Sequence, residues 1–147
     1  MQVKIRQAAK DDIPVIQNLL KTVNLSTDGL GQFIENFLVA EVKGKIVGTI
    51  GLEIYTPSGL LRSAAVSPEY QHSGIGDKLV AALEKSAAEL ALNELVLMTT
   101  TAASYFARKG FMAVERNTIR GDILQSSQFQ GGCPSSAVSM RKILSNE

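Results

Sequence analysis

The stretch LLRSAAVSPEYQHSGIGDKLVAALEKSAAELAL, residues 60–92, contains the strongest sequence signals for the fold of this chain. Its first seven residues have the composition of a strand, and a loop containing Gly74-Ile75-Gly76 leads from them into a long amphipathic helix. This helix is predicted from residue 74 to about residue 92, with a continuous apolar stripe that includes Leu90. The start of a helix favours an anion, because its backbone N–H groups lack intrahelical acceptors and carry the positive end of the helix dipole. Glycines let that anion approach the backbone closely. The stretch therefore predicts a phosphate-binding site.

Two well-known phosphate-binding loops differ from this one. A mononucleotide P-loop places Lys-Ser or Lys-Thr after the second glycine of its motif, whereas Gly76 is followed by Asp77-Lys78. A dinucleotide-binding fingerprint has a third glycine where this chain has Leu79, and it opens a parallel sheet. The P-loop interpretation therefore fails, and the dinucleotide interpretation is disfavoured.

The residues before this stretch predict strands and helices in alternation. Apolar runs at residues 38–42 and 46–55 flank Lys43-Gly44-Lys45, a predicted hairpin turn, and a second turn at 56–59 leads to the strand at 60–66. These three strands form a predicted antiparallel meander. Further upstream we expect a strand through Val3 and Ile5, a helix over 12–23 with Asp11 as its N-cap, and a short helix over 32–36.

The residues after the long helix predict four more elements and a loop-rich segment. The elements are a buried strand at 94–100, a helix at 102–109 ended by Gly110, a strand at 111–114 and a closing strand at 137–143. The polar segment 117–130 permits one short helix. Together the elements predict one α/β domain over residues 1–147.

Composition limits the class of protein. Of 147 residues, 45% are apolar and 20% are charged, as in ordinary globular domains, and the net charge of +1 gives no reason to expect a nucleic acid or membrane partner. The chain has no run of about 18 apolar residues and no apolar signal-peptide core. The single cysteine, Cys133, excludes an internal disulfide and suits a reducing compartment. We therefore expect a cytoplasmic protein, with no metal site.

The pattern Gln71-His72-Ser73-Gly74-Ile75-Gly76, directly after Val66-Ser67-Pro68-Glu69-Tyr70, resembles the acetyl-CoA motif of the GNAT superfamily, the Gcn5-related N-acetyltransferases. Residues 102–111 are similar to the family's second motif, a helix that ends in Gly-Phe. The resemblance implies the GNAT fold, an α/β (α+β) arrangement with a mixed, mostly antiparallel sheet of six to seven strands and about four helices. The alternative is a glycine-containing turn between strand and helix that binds no ligand.

The resemblance also implies which residues hold acetyl-CoA. The strand positions that offer main-chain hydrogen bonds to its pantetheine arm are Ala64, Ala65 and Val66. The loop positions that bind its pyrophosphate through backbone amides are Gln71, His72, Ser73, Gly74, Ile75, Gly76 and Asp77. Lys78 adds a charge near a phosphate or is a solvated helix residue. His72 is expected at the diphosphate, as a loop donor or an exposed side chain, and not as a catalytic group.

The implied reaction is attack of a neutral amine on the thioester carbonyl. It needs a group that accepts the amine proton, an N–H that stabilises the oxyanion and an acid for the departing thiolate. The resemblance assigns the oxyanion contact to Val66 N–H. The family's acid is often a tyrosine four residues before the Gly-Phe glycine, which is Phe106 here, so Phe106 is expected beside the cofactor. Tyr105 lies about 100° away around the helix. Either Tyr105 is reoriented, or water or another group protonates the thiolate.

Arg62 interrupts the apolar strand 60–66 and needs a buried partner or a function. It is either an ion-pair partner of a residue such as Glu53 or an anion clamp for the acceptor, with Ser63 beside it. Glu53 and Tyr55 share one face of their strand and are expected to border the acceptor pocket. Glu53 is either a general base acting through water or an edge-exposed carboxylate.

Leu61-Arg62-Ser63, Thr99-Thr100-Thr101-Ala102-Ala103 and Cys133-Pro134-Ser135-Ser136-Ala137 resemble a narrower subgroup, small GNAT proteins associated with arsenic resistance. Cys133 is either a contact for an arsenic-containing acceptor or a plain loop thiol. The predicted function is acetyl transfer from acetyl-CoA to the amine of a small, anionic, amino-acid-like or toxic acceptor. The alternatives are a non-catalytic CoA-binding module and a protein N-terminal or lysine acetyltransferase. Small members of the superfamily often dimerise, which leaves a homodimer open.

Overall fold

The computed structural model describes residues 2–132 and 136–144 of the chain. Seven strands form one sheet in the order β1-β2-β3-β4-β5-β7-β6. The strands are β1 (Lys4–Gln7), β2 (Phe37–Val42), β3 (Lys45–Tyr55), β4 (Ser58–Val66), β5 (Glu94–Thr99), β6 (Met112–Val114) and β7 (Val138–Ile143). The α-helices are α1 (Ile13–Thr22), α2 (Ile75–Glu89) and α3 (Ala103–Arg108).

Strand directions confirm the predicted mixed, mostly antiparallel sheet. Strands β4 and β5 run parallel, with Ser58 opposite Glu94 and Leu60 opposite Val96. The pairs β1–β2, β2–β3, β5–β7 and β6–β7 are antiparallel. Among the described residues, no helix is long and apolar enough to cross a membrane.

The chain divides into two compact units, Met1–Leu52 with Arg62–Ser86 and Glu53–Leu61 with Ala87–Glu147. Strands β3 and β4 each contribute residues to both units. The prediction that residues 1–147 form a single domain stays a prediction.

The first unit contains the predicted hairpin between β2 and β3. Lys43 and Gly44 connect the strands and have φ angles of 53° and 78°, and positive φ at both central residues is what a type I′ turn requires. A 3-10 helix, Gly31–Asn36, replaces the predicted short helix at 32–36.

The apolar face of α1 forms the core of the first unit. Ile16, Leu19 and Leu20 recur at helical spacing and are buried. They pack with buried side chains from the rest of this unit, namely Ala8, Leu30, Ile34, Phe37, Val39 and Ala65. The helix therefore forms mainly because this face is covered, which agrees with the periodicity predicted for residues 12–23.

The predicted N-cap of α1, Asp11, is wrong. A 3-10 turn, Lys10–Asp12, precedes the helix, and the Asp12 carboxylate accepts the Ala9 backbone N–H at 2.8 Å. Asp12 is held in this position by Arg6, whose guanidinium donates from Nη1 to Oδ2 at 2.8 Å and from Nη2 to Oδ1 at 3.1 Å. Arg6 Nε also donates to Glu41 Oε2 at 2.7 Å. A bidentate pair of this kind outweighs the local preference of Asp11 for a cap position.

The pKa of Asp12 is lowered from its ordinary value of 3.8, chiefly because Arg6 donates hydrogen bonds to the carboxylate. A carboxyl with a depressed folded-state pKa stabilises the fold above its unfolded pKa and loses that contribution as the pH falls through the folded value. We therefore expect Asp12→Asn to lower the free energy of unfolding at pH 7, and this deficit to shrink below about pH 4. Urea titrations at several pH values measure it. Asp11→Asn, at an exposed neighbour, should show no such pH-dependent deficit.

Phe37 and Gly51 are directly opposite each other on β2 and β3. A Cβ atom added to Gly51 would lie 2.4 Å, 2.5 Å and 2.6 Å from ring atoms Cζ, Cε1 and Cε2 of Phe37. Phe37 is fully buried, so its ring has no room to move away. The absence of a side chain at Gly51 is therefore what allows the ring to lie against the β3 backbone.

We expect Gly51→Ala to lower the free energy of unfolding by about 1–3 kcal/mol, the usual cost of overpacking a core. Denaturant unfolding measures this change. Gly31→Ala is the matched control, because a Cβ there meets no atom within 4 Å. The control should stay within about 0.5 kcal/mol of wild type. Equal stabilities for both variants would contradict the role assigned to Gly51.

The second unit contains β5, β7, β6 and α3, and Leu60, Val96, Ile119 and Ile123 form a buried cluster in it. The predicted single helix in residues 117–130 is wrong. Three short helical segments take its place, Arg116–Thr118, Asp122–Gln125 and Gln128–Gly132. Gly121 has a φ of 97°, which interrupts the helical conformation between the first two segments. Ile119 and Ile123 therefore reach the core from separate turns.

The long helix is shorter than predicted. Helix α2 ends at Glu89, whereas its apolar stripe predicts a helix that continues to residue 92. Ala91 has a φ of 59°, which terminates the helix, and Leu90 is 47% exposed, not part of the buried stripe. Leu92 returns to the core.

Candidate functional site

The predicted anion-binding loop lies between β4 and α2 in the first unit. Its residues Gln71, His72, Ser73 and Gly74 are exposed. Hydrogen bonds within the loop keep it compact: the Gln71 side chain donates Nε2–H to the Val66 carbonyl at 3.0 Å, and Ser73 Oγ donates to the Tyr70 carbonyl. The Ser67 N–H donates to the Val47 carbonyl at 2.7 Å and ties the end of β4 to β3.

Two left-handed residues turn this loop into the helix. His72 has a φ of 66° and Gly74 a φ of 88°. The first intrahelical bond runs from Lys78 N–H to the Gly74 carbonyl at 3.2 Å, so the Ile75 and Gly76 amides belong to the first turn, where a helix offers no carbonyl acceptor. A Cβ at Gly74 would meet no atom within 4 Å, which leaves open space beside the loop. The local geometry fits the predicted anion site.

The start of α2 is held firmly against the sheet. Ile75 and Leu79 are buried, and both lie against Gly48 of β3. An added Cβ at Gly48 would be 3.0 Å from Leu79 Cδ1 and 3.3 Å from Ile75 Cγ2. The glycine therefore allows a close approach of helix and strand, which fixes the position of the exposed loop amides. Asp77 and Lys78, in the same turn, are exposed.

The strand positions predicted to contact the pantetheine arm alternate in burial. Ala65 is buried in the core of the first unit, whereas Ala64 and Val66 are half-buried. Such alternation is expected for a strand, whose successive side chains point to opposite faces. The cofactor contacts of all three residues stay predictions.

Arg62 is 4% exposed, although it carries a full positive charge. Its Nε donates to Ser63 Oγ at 3.0 Å, and its Nη2 donates to the Ser26 carbonyl at 3.5 Å. Its Cζ lies 5.9 Å from the centroid of the Phe37 ring, over the ring face. Ser63 has a φ of 58°, an unusual backbone conformation for a non-glycine residue in a strand. The predicted ion pair with Glu53 stays a prediction.

Glu53 and Tyr55 belong to the second unit. The Tyr55 hydroxyl donates to Glu53 Oε1 at 2.6 Å, which confirms that the two side chains share a face of β3. Glu53 is 0% exposed, so the alternative of an edge-exposed carboxylate is wrong. The reason is that β3 lies inside the sheet, between β2 and β4.

Tyr105 and Phe106 are neighbours on helix α3 of the second unit and differ in burial. Phe106 is 5% exposed and packs edge-to-face on Phe111, with ring centroids 5.6 Å apart. Tyr105 is half-buried, and Lys109 Nζ lies 5.4 Å from its ring centroid. The position at which the family often has its tyrosine thus holds a core phenylalanine. The predicted roles of Phe106 at the cofactor and of Tyr105 as acid stay predictions.

The sequence interpretation missed two residues that contact Arg62, namely Phe37 and Ser26. Phe37 was detectable, because a bulky aromatic residue opposite a glycine in a hairpin indicates a ring lying over the glycine backbone. Ser26 contributes only its carbonyl, which has no sequence signal. Cys133 lies outside the described residues. Within the described residues, no group of three or more His, Cys, Asp or Glu side chains is arranged to hold a metal ion.

Comparison with known proteins identifies the family. Amino-acid acetyltransferases of Pseudomonas putida (strain GB-1) and Pseudomonas fluorescens (strain Pf0-1) are each 34% identical, over 73% and 76% of this chain. The chain spans 27% and 28% of the length of these two relatives.

Solved structures agree with this similarity. The N-acetylglutamate synthase of Neisseria gonorrhoeae, complexed with coenzyme A and N-acetyl-glutamate, superposes with a TM-score of 0.85 at 25% identity and covers 99% of this chain and 36% of its own. Rv2747 of Mycobacterium tuberculosis, in complex with CoA and NLQ, shares the fold with a TM-score of 0.81 at 24% identity, over 97% of this chain and 99% of its own. Residues 34–113 match the family model described as "Acetyltransferase (GNAT) domain". The chain therefore belongs to the GNAT acetyltransferase family.

Proposed function

We propose that this chain is an acetyl-CoA-dependent N-acetyltransferase whose acceptor is a small amine that also carries a carboxylate or similar anion. The observation that carries the proposal is the buried guanidinium of Arg62, on the strand that leads into the glycine loop. The names of the curated relatives, amino-acid acetyltransferases, support an amino-acid-like acceptor. The structure of N-acetylglutamate synthase with coenzyme A and N-acetyl-glutamate gives further support.

In this proposal the loop and the start of α2 bind the pyrophosphate of acetyl-CoA. The exposed backbone at residues 71–74 and the first turn of a 15-residue helix supply N–H donors and a positive dipole end. The open space beside Gly74 gives room for an anion. The backbone of Ala64, Ala65 and Val66 serves the pantetheine arm. Acetyl-CoA itself supplies the thioester that is attacked.

The transfer step forms an N–C bond between acceptor amine and acetyl carbonyl and breaks the C–S bond. In this proposal Val66 N–H stabilises the oxyanion, and Glu53 accepts the amine proton through water. The hydrogen bond from the Tyr55 hydroxyl supports a defined orientation of the Glu53 carboxylate. Tyr105, water or another group returns a proton to the thiolate.

Arg62 selects the acceptor in this proposal. A guanidinium presents several N–H donors in a fixed plane and binds carboxylate or phosphinate oxygens in pairs. Ser63 is the neighbouring residue that orients it, through Oγ. An arsenic-containing amino acid is one acceptor of this chemical class, and a role in arsenic resistance belongs to the proposal on that ground.

The test measures CoA release with a thiol reagent over a panel of amines. The panel contains amino acids, their α-amides, their decarboxylated amines, analogues with phosphinate or arsonate groups, and N-terminal and lysine peptides. We expect turnover of anionic amino-acid-like acceptors and little turnover of the decarboxylated amines. CoA release that never exceeds the rate of acetyl-CoA hydrolysis would contradict the proposal. Preferential turnover of the peptides would favour protein acetylation instead.

Burial of Phe106 favours a second candidate function, a CoA-binding module that transfers no acetyl group. The side chain at this position has no hydroxyl and packs in the core of the second unit. Calorimetry distinguishes the two functions. Tight binding of acetyl-CoA combined with no transfer to any amine on the panel would support the module.

The proposal also includes two expectations from the sequence, a homodimer and a cytoplasmic location. A homodimer is tested by sedimentation velocity at several protein concentrations. Location in the cytoplasm is tested by fractionation of cells that express the chain.

A further inference from the structure

We infer that Phe37, seated on Gly51, is a positioning residue that orients the Arg62 guanidinium and thereby sets the preference for a carboxylate on the acceptor. The inference rests on the proposed function, because it assigns the acceptor carboxylate to Arg62. It adds a residue on β2, which is separated from the Arg62 strand by β3. Phe37 neither contacts the reacting atoms nor belongs to the acetyl-CoA loop.

The Phe37 ring is confined to one position by the residues around it. Three atoms at the outer edge of the ring lie only 2.4–2.6 Å from the position that a Cβ of residue 51 would take. Phe37 is 0% exposed and packs in the core beneath α1. A closely packed ring with backbone on one side keeps its plane.

The Arg62 guanidinium contacts this ring. Arg62 Cζ lies over the ring, 5.9 Å from its centroid, within the range of a cation–π contact. Two hydrogen bonds restrain the edges of the same group, from Nε to Ser63 Oγ and from Nη2 to the Ser26 carbonyl. The ring contact and the two hydrogen bonds together restrain the orientation of the guanidinium.

The orientation of the Arg62 guanidinium affects the binding of a carboxylate more than that of a neutral group. Paired hydrogen bonds to a carboxylate need the guanidinium and carboxylate to be coplanar, so a tilt weakens carboxylate binding more than it weakens binding of a neutral group. Loss of the Phe37 ring should therefore impair acceptors through their carboxylate. The acetyl-CoA loop, which is held by α2 and Gly48, should be unaffected.

The experiment compares Phe37→Leu with wild type on three acceptors, L-glutamate, its α-amide and its γ-amide. We expect KM to rise about tenfold, the equivalent of about 1.4 kcal/mol, for each acceptor that retains the carboxylate bound by Arg62. KM for the amide that lacks this carboxylate, and KM for acetyl-CoA, should change less than about twofold. The amide that is insensitive identifies which carboxylate Arg62 binds.

Leu20→Val is the matched control, because Leu20 is fully buried in the same core but has no contact with Arg62 among the hydrogen bonds and ring contacts of the described residues. It should lower the melting temperature without changing the ratio of KM values between acid and amide. The inference is overturned if Phe37→Leu raises KM equally for L-glutamate and for both of its amides, since a purely structural core residue would have that effect.

A second measurement does not depend on turnover. The Arg62 Nε–H correlation in a ¹H–¹⁵N spectrum, assigned by its loss in Arg62→Lys, is followed during titration with L-glutamate in the presence of CoA. We expect glutamate to shift this signal in wild type and in Leu20→Val, and to do so about tenfold more weakly in Phe37→Leu. Glutamate binding that is about tenfold weaker in Phe37→Leu, combined with no CoA release in the panel, would refute acetyl transfer but support the positioning of Arg62 by Phe37. No shift in wild type, or equal affinity in Phe37→Leu, would overturn the inference.

Discussion

Replacing Arg62 with lysine is expected to raise KM for a carboxylate-bearing acceptor about ten- to hundredfold, because hydrogen bonds to charged groups contribute about 1.5–3 kcal/mol. Lysine retains the positive charge but not the planar pair of donors, and its ammonium cannot donate to a carboxylate from two fixed nitrogens. It also cannot keep the Nε bond to Ser63 Oγ and the Nη2 bond to the Ser26 carbonyl together. Steady-state kinetics with an amino acid and its amide measure the effect.

The control for this substitution is the amide that lacks the carboxylate bound by Arg62. Its KM should change little, and so should KM for acetyl-CoA, because neither ligand presents a carboxylate to residue 62 in the proposed arrangement. Melting temperatures of wild type and Arg62→Lys establish that both are folded at the assay temperature, since Arg62 is buried. An equal rise in KM for acid and amide would mean that Arg62 has a structural role only.

The second large effect is expected at the glycine loop. Gly74→Asp should weaken binding of acetyl-CoA about hundredfold relative to Gly74→Asn, because a unit charge about 4 Å from a phosphate costs up to about 4 kcal/mol near a protein surface. Both side chains are among the non-glycine residues that best tolerate the φ of 88° at this position. Both also have space, since a Cβ there meets no atom within 4 Å. The pair therefore differs essentially in charge.

Calorimetric titration with acetyl-CoA at low and high salt measures this difference. Salt screens exposed charges, so the gap between the two variants should narrow as ionic strength rises. Similar affinities for Gly74→Asp and Gly74→Asn at low salt would exclude a phosphate beside residue 74. They would also remove the main argument for acetyl-CoA at this loop.

The architecture was predictable from the sequence because its strands and helices carry local signals. The hairpin at Lys43 and Gly44, the apolar face of α1 and the glycine before β6 all depend on residues close together in the chain. The anion loop was predictable for the same reason, since strand, glycines and helix follow one another directly. Helix ends were less predictable. Asp12, not Asp11, caps the first turn because Arg6, six residues earlier, binds it.

The surroundings of the charged candidates could not be predicted. Arg62 and Glu53 were identified as unusual by their place in apolar runs, but the depth of their burial follows from the order of strands in the sheet. The Arg62 contact with Phe37 joins residues 25 positions apart on non-adjacent strands, and only the strand register brings it about. The prediction of one helix in residues 117–130 was wrong because this segment has too few apolar residues to show a helical period.

The contact between Phe37 and Gly51 has a consequence for how this protein can change. The two positions are expected to be energetically coupled: alanine at 51 collides with the large ring, but it should fit beside leucine at 37. In a double-mutant cycle, Phe37→Leu with Gly51→Ala should therefore be less destabilised than the sum of the single variants, by about 0.5–3 kcal/mol. Related chains should accordingly vary these two positions together, and a change in acceptor preference should accompany the exchange.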